Sequence, residues 1–399
     1  MSNQANTSVA IMGGGGHVGL PLGIALASRG VDVTLFDIDE ETVDMINRGE
    51  LPFLEAGAAP LLGTALADGL LRATTDPASM AESEIVIVVI GTPVDEHLNP
   101  DPWAVRRSIA SVSEHLHDGQ LLVLRSTVYP GVTALVEDLI VEEGLDVDVV
   151  FCPERIAEGK AMTELFELPQ IVASRSGAGS KRAEELFLQV TDQIVLMEPE
   201  EAELAKLFTN TWRYIKFATA NQLYMIANDY GLDYDIIRTG LADGYPRAAD
   251  LPSAGFTAGP CLFKDTMQLA AFNNNQFTLG HAAMMVNEGM QHYIVSQIER
   301  STDLRNATVG ILGMAFKGES DDIRSSLSYK LKRLLKFRAG EVLTTDPYVK
   351  GDSSLLPLEQ VLEEADILIV AAPHKIYAEI ATDLPVVDVW NLRGDGAKV

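Results

Sequence analysis

The chain has 399 residues, enough for two or three domains with sizeable cores. Lys plus Arg number 30 against 57 Asp plus Glu, a formal charge of −27 that repels nucleic acid and anionic membranes. No apolar run is long enough to span a bilayer, Met1 to Thr7 lacks a signal-peptide pattern, and two cysteines cannot form a disulfide framework, so a reducing cytoplasm is expected.

Residues 8–37 predict strand, glycine turn, helix, strand. Val9 to Met12 is a short apolar strand, followed at once by Gly14-x-Gly16-x-x-Gly19. Leu20 to Arg29 reads as an apolar helix ending near Gly30, and Val31 to Phe36 as a second strand closed by Asp37. This is the dinucleotide fingerprint in its proper setting. The glycines let a pyrophosphate approach the backbone, and the helix N-terminus offers N–H groups to it. Asp37 suits an adenosine ribose and opposes a 2′-phosphate, so NAD is expected over NADP.

Three further runs, Glu84–Ile90, Leu121–Leu124 and Val147–Phe151, read as strands buried on both faces. They end in Gly91-Thr92-Pro93, Arg125-Ser126-Thr127 and Cys152-Pro153-Glu154-Arg155. Ligands bind beyond the carboxyl ends of such strands, so Thr92, Thr127 and Glu154 are site candidates. Helix caps or turn residues are the alternative.

Pro199-Glu200-Glu201 starts a helix that runs with apolar periodicity to Tyr230 and stops at Gly231. A helix of about 30 residues spans roughly 45 Å, and one that long runs between domains or forms a subunit interface. Lys206 and Asn210 are four residues apart on it. The stretch Gly255 to Asp265 holds Gly259-Pro260-Cys261 and then Lys264-Asp265. A thiol near a lysine can act as a nucleophile; a glycine-rich turn with a small buried thiol is the alternative. A second helical region is expected from Thr266 to about Arg300, with His281 and His292 structural and no metal-ligand spacing. The strand–helix rhythm resumes at 308: strands at Thr308–Leu312, Glu341–Thr344, Asp366–Val370 and Val386–Val389, and a helix Ile323–Phe337 bearing Arg324.

The fold class is therefore α/β. Residues 1–198 form an N-terminal Rossmann-type dinucleotide-binding domain. Residues 199–302 form an all-α middle domain with the long helix, the cysteine loop and a dimerisation role. Residues 303–399 form a smaller Rossmann-like α/β domain.

In order, these motifs resemble the UDP-glucose/GDP-mannose dehydrogenase family of nucleotide-sugar dehydrogenases. Gly14-Gly15-Gly16-His17-Val18-Gly19-Leu20-Pro21 is similar to its first signature. Gly91-Thr92-Pro93, Ser126 to Gly131 and Cys152-Pro153-Glu154-Arg155 are similar to the next three. Glu203 to Lys206 with Asn210, Gly259 to Asp265, and Phe316-Lys317 with Asp322-Ile323-Arg324 complete the set.

The resemblance implies a UDP-sugar substrate and oxidation of a sugar C6 alcohol to a carboxylate in two NAD-dependent hydride transfers. Cys261 would attack the intermediate aldehyde and pass through a thiohemiacetal and a thioester. Lys206 would stabilise oxyanions, Asn210 and Asp265 would position a water or relay its proton, and Glu154 would be the base for hydrolysis, with Thr127 holding the water. Gly14, Gly16, His17, Val18, Gly19, Asp37, Thr92, Thr127 and Arg324 would hold NAD. Glu154, Arg155, Lys206, Asn210, Gly259, Lys264, Phe316, Lys317 and Arg247 would hold substrate, Arg247 reaching in from a second subunit of a homodimer. Arg155-Ile156 is similar to the N-acetylhexosamine branch and Lys264-Asp265 to the glucose branch, which leaves the sugar open between them. Two rival readings are a two-electron β-hydroxyacid or 6-phosphogluconate-type dehydrogenase, which lacks the cysteine loop, and an inactive nucleotide-sugar-binding protein.

Overall fold

A computed structural model describes residues 7–92, 94, 95, 100–397 and 399. Pro93 of the Gly91-Thr92-Pro93 turn and residues 1–6 of the polar start lie outside the described residues. The chain divides into two compact units, Met1–Phe208 and Thr209–Val399.

The first unit holds strands β1 (Ser8–Met12), β2 (Asp32–Phe36), β3 (Leu71–Thr74), β4 (Ile85–Val88), β5 (Leu121–Leu124), β6 (Asp148–Phe151), β7 (Gln170–Ala173) and β8 (Ile194–Met197). Its helices are α1 (Gly19–Ala27), α2 (Glu40–Asn47), α3 (Ala58–Ala67), α4 (Ala104–Ala110), α5 (Val132–Glu142), α6 (Ala161–Glu167) and α7 (Gly177–Phe187). The strands form one sheet in the order β3-β2-β1-β4-β5-β6-β7-β8. The β1–β2, β1–β4, β4–β5 and β5–β6 pairs are parallel, as expected from their apolar runs. β7 is antiparallel to β6, and the two share a single paired position, Phe151 with Ala173. One apolar cluster lies between the sheet and α1, α3, α6 and α7, with Ile11, Leu20, Leu35, Val123 and Phe187 fully enclosed. Each such side chain contributes roughly 1.5–3 kcal/mol by leaving water. A second cluster, including Val88, Leu124, Val136 and Phe151, fills the opposite face.

The long helix α8 (Pro199–Asp229) has 31 residues, matching the sequence pattern, and the boundary between the units falls inside it. Its first turns are fixed to α5 by Glu203, which is buried. The Glu203 carboxylate accepts from Gly131 N at 2.6 Å, Thr133 N at 2.8 Å and Thr133 Oγ1 at 2.6 Å. A carboxylate on the N–H groups that open a helix satisfies donors which otherwise lack partners.

The second unit continues with α9 (Tyr234–Ala242), α10 (Leu262–Phe272), α11 (Thr278–Ile298), β9 (Thr308–Leu312), α12 (Leu327–Leu335), β10 (Glu341–Thr345), α13 (Leu358–Glu364), β11 (Ile367–Val370) and β12 (Val386–Val387). Its sheet is parallel in the order β10-β9-β11-β12. Tyr224, Met290, Ile294, Val309, Ile311, Leu331 and Ile369 share its main core.

Three expectations are corrected. The helical region from Thr266 to Arg300 is two helices, because Asn274 and Asn275 take positive φ of 51° and 57° and end α10. Asparagine tolerates that conformation by bonding locally. Arg324 does not ride on a helix: Ser325 has φ 54°, and Ser326 caps α12 after it. β12 ends at Val387, two residues early, since Asp388 accepts from Trp390 N and Arg393 N and turns the chain.

Candidate functional site

Candidate side chains occur in both units. In the first, β1 lies between β2 and β4, so strand order reverses beside it. Open α/β sheets take ligands at that point. The amides of Gly13 and Gly14 both donate to Phe36 O, at 2.9 and 3.0 Å. Gly13 has φ +81°, and a Cβ there would lie 1.9 Å from Val89 O. It stands outside the Gly14-x-Gly16-x-x-Gly19 pattern, and its only mark in the sequence is the unbroken run of four glycines. A Cβ on Gly14 would meet Leu35 at 2.6 Å, and one on Gly19 would meet Gly13 O at 2.3 Å. Gly16 is exposed, with no atom nearer than 3.6 Å to its would-be Cβ.

α1 opens after Val18 with no side-chain cap. An uncapped helix start beneath an open glycine fits a diphosphate. Asp37 closes the turn, its Oδ2 accepting from Gly15 N at 2.9 Å and its Oδ1 from Asp39 N at 3.2 Å. His17 packs on Phe53, ring centroids 4.0 Å apart, and its Nδ1 lies 3.3 Å from Glu158 Oε1.

Beyond β4, β5 and β6 the chain ends are tied together. Thr92 Oγ1 donates to Thr127 O at 2.6 Å, and Ile90 N donates to Ser126 Oγ at 2.8 Å. Glu154 is 5 % exposed. Its Oε1 accepts from Arg155 N at 2.6 Å and Ile156 N at 2.9 Å, and its Oε2 accepts from Arg125 Nη2. Arg125 is 1 % exposed. The guanidinium also donates through Nη1 to Cys152 O and Gln170 Oε1, each at 3.1 Å, and lies 4.9 Å from the Phe187 ring centre. Arg125 follows β5 in the Arg-Ser-Thr motif, yet nothing in the sequence marks its burial. Arg155 donates to Pro169 O, and burial lowers its guanidinium from its ordinary value. Cys152 is fully buried and its thiol is pushed up to about 12 by burial, which makes it inert as a nucleophile. Lys206 is buried on α8, at the end of this unit.

In the second unit Cys261 is an exposed thiol directly before α10. A helix N-terminus favours negative charge at that place. The loop that presents it is fixed at both ends. Gly255 N donates to Asn221 Oδ1 at 2.9 Å, Asn221 Nδ2 to Asn287 Oδ1 at 3.0 Å, and Asn287 Nδ2 to Tyr214 O at 3.1 Å. Both asparagines are fully buried. Gly259 has φ +105°, and the Phe316 ring lies 2.7 Å from where its Cβ would be.

One turn into α10, Asp265 is fully buried. Its Oδ2 accepts from Asn210 Nδ2 at 2.5 Å. Its Oδ1 accepts no hydrogen bond, and Lys264 Nζ is 3.5 Å from it. Lys317 Nζ lies 5.4 Å over the Phe316 ring. Arg324 is gripped by Asp322, its Nη2 donating to Oδ2 at 2.6 Å and its Nε to both carboxylate oxygens. Thus Asn210, Lys264 and Asp265 come together, as do Gly259, Phe316 and Lys317. Arg247 is exposed and lies against Tyr245, apart from both groups.

The sheet end carrying Gly313–Phe316 is held by Asp346. Its Oδ2 accepts from Met314 N at 2.6 Å, Ala315 N at 3.0 Å and, at 3.0 Å, from His374 Nε2. His374 Nδ1 accepts from Glu319 N, so its proton is on Nε2. Burial opposes ionisation of Asp346, but the His374 and backbone hydrogen bonds win and hold the carboxyl at about 2.

Sequence profiles match three parts of the chain. The UDP-glucose/GDP-mannose dehydrogenase family's NAD binding domain matches residues 7–191, its central domain 200–289 and its UDP binding domain 310–393. UDP-N-acetyl-D-mannosamine dehydrogenase from Pyrococcus horikoshii is 32 % identical over 385 residues, covering 93 % of this chain and 90 % of that protein. The enzyme of the same name from Escherichia coli K12 is 30 % identical over 399 residues, covering 92 % and 94 %. A solved UDP-glucose dehydrogenase from Pyrobaculum islandicum superposes with TM-score 0.89 at 25 % identity, covering 100 % of this chain and 98 % of that one.

Proposed function

The chain belongs to the UDP-glucose/GDP-mannose dehydrogenase family as an NAD-dependent oxidoreductase, and from that premise we propose that it converts the C6 alcohol of a UDP-sugar to a carboxylate through a covalent intermediate on Cys261. The observation that carries the proposal is an exposed thiol at a helix start, on a loop fixed by Asn221 and Phe316, with a buried carboxylate one turn behind it.

Gly14, Gly16, His17, Val18, Gly19, Asp37, Thr92, Thr127 and Arg324 would hold NAD, which supplies the hydride acceptor for both oxidations. Cys261 Sγ adds to the C6 aldehyde. The hemithioacetal hydroxyl would then pass its proton through a water to Asp265 as the hydride acceptor takes the second hydride, leaving a thioester. Lys206 offsets the negative charge on the C6 oxygen. Asp265 Oδ1, buried and without a hydrogen bond, suits a water proton, and Asn210 fixes the other carboxylate oxygen. Glu154 takes a proton from the hydrolytic water. Three of its roughly four lone-pair sites are filled, which leaves one on Oε2 for that water. Thr127 helps hold the water, and Arg155, Gly259, Lys264, Phe316 and Lys317 hold the sugar and diphosphate. Two cysteines, neither in a disulfide, suit a reducing cytoplasm.

For the sugar, Arg155-Ile156 and the named mannosamine relatives support a UDP-N-acetylhexosamine. UDP-glucose is the second reading, favoured by Lys264-Asp265 and the Pyrobaculum enzyme. A panel of UDP- and GDP-sugars followed at the NADH absorbance tests both. Turnover of none of them overturns the proposal.

A carboxylate at Asp37, pinned by Gly15 N, repels a 2′-phosphate. kcat/KM is therefore expected to favour NAD over NADP by about 10²-fold, and Asp37→Ala is expected to narrow the gap. Equal values for the two cofactors in wild type refute this.

The working form is a homodimer joined along α8 and α9, with Arg247 reaching the partner's substrate. Trp212 is 58 % exposed, Ile226 52 %, Tyr230 80 % and Ile236 72 %, and large exposed apolar side chains gathered on two successive helices suit an interaction surface. Light scattering at micromolar concentration is expected to give twice the chain mass for wild type and one chain mass for Trp212→Glu/Ile236→Glu. A monomeric wild type sinks the claim.

A further inference from the structure

We propose that Arg125 is a positioning residue for thioester hydrolysis: its guanidinium holds the Glu154 carboxylate aimed and fixes the turn that carries it. The proposal rests on the reading of Glu154 as the group that activates the hydrolytic water.

Arg125 directly follows β5 and is 1 % exposed. Burying a guanidinium costs several kcal/mol unless its partners are well placed, and an apolar side chain commonly packs such a place as stably. The neighbours here would suit one, since Phe187 lies against the guanidinium and Cys152 belongs to the same apolar core. Arg125 Nε has no hydrogen-bond partner, so the side chain is not arranged for full satisfaction of its own donors.

What the fork does reach is one segment. Nη2 bonds to the Glu154 carboxylate, and Nη1 bonds to the Cys152 carbonyl two residues earlier. Gln170 Oε1 accepts from the same Nη1 and keeps it from swinging. With Oε1 of Glu154 taken by the amides of Arg155 and Ile156, the carboxylate can rotate only by breaking several bonds at once. Its remaining lone pair on Oε2 keeps one direction. A lysine is a point charge and cannot bridge a carboxylate, a carbonyl and an amide oxygen with this planar spread.

The step served is the last one. The water oxygen bonds to the acyl carbon, the carbon–Sγ bond breaks, a water proton passes to Glu154, and the Cys261 thiolate leaves. No electrons are exchanged with a cofactor. Loss of Arg125 should therefore slow this step and spare the two oxidations.

The test compares Arg125→Lys, Glu154→Gln and the double variant, each with NAD and the UDP-sugar that wild type turns over. Circular dichroism checks folding, rapid mixing follows NADH, and intact-protein mass reports acyl-Cys261. Arg125→Lys is expected to keep the NADH burst within a few-fold, slow steady turnover about 10²-fold as misplacement of a catalytic group does, and accumulate acyl-Cys261 with KM little changed. The double variant is expected to be no slower than Glu154→Gln. If Arg125→Lys slows burst and steady phase equally without adduct, while Glu154→Gln accumulates it, Arg125 is only structural and the proposal falls. If neither variant accumulates adduct, the reading of Glu154 falls and takes this proposal with it. Should Arg125→Lys not fold, Gln170→Leu removes one of the two acceptors of Nη1 while keeping the arginine. It is expected to show the same adduct with a smaller slowing, and its absence overturns the proposal.

Discussion

Cys261→Ala is expected to abolish steady formation of uronic acid while the protein stays folded and binds NAD. Cys261 is exposed, and its side chain supports no core, so truncation to alanine costs little stability. On the proposed mechanism the chemical loss is total, because the intermediate aldehyde would no longer be held between the two oxidations. Wild type is expected to form two NADH per sugar consumed with no free aldehyde. The variant is expected to fall by at least about 10⁴-fold in uronate output, the scale of losing a nucleophile. Cys152→Ala supplies the control. Its thiol is enclosed and raised to about 12, so turnover is expected within a few-fold of wild type. One NADH per sugar, or an active Cys261→Ala enzyme, would falsify the covalent mechanism and return the chain to simple alcohol oxidation.

Asp265→Asn is expected to separate activity from stability. The carboxylate is fully buried, has one hydrogen bond from Asn210, and faces its nearest cation at 3.5 Å. A buried charge so thinly compensated opposes folding. Asparagine keeps the volume and removes the charge. The variant is expected to melt at the same temperature or higher, while kcat falls about 10²–10⁴-fold, the range for loss of a proton-transfer group. Calorimetry and steady-state rates check the two halves. A variant that is both less stable and nearly as active would show that Asp265 is a structural anchor.

Much of the fold was legible because local signals and tertiary need agreed. The apolar runs at 85–88 and 121–124 became fully buried parallel strands. Pro199-Glu200-Glu201 opened α8, and Gly231, at φ +70°, followed its end. Other features depended on partners far away in sequence. The break after α10 lies in a run of three asparagines, and no helical periodicity reveals the positive φ of the last two. The reversal at β7 depends on which way the preceding loop returns, which composition does not encode. For the site, the glycine turn and the cysteine loop were visible because their residue types are unusual in sequence. Arg125 was not, since a cation in a Ser-Thr motif looks solvated until the burial of its neighbours is known. Asn221 and Asn287 were hidden likewise: polar residues on long helices declare their role only when two helices bring them face to face.

The single paired position between β6 and β7 has a consequence for cooperativity. Most strand pairs in that sheet share four or five positions, and this one shares Phe151 with Ala173 alone. β7, α7 and β8 therefore form a lobe whose local unfolding breaks few ladder bonds. The guanidinium at Arg125 crosses that seam, bonding to Gln170 at the start of β7 and stacking on Phe187 at the end of α7. Fraying of the lobe would remove the Gln170 and Phe187 contacts of Arg125 and so loosen one side of the grip on Glu154, leaving the Arg155 and Ile156 amides in place.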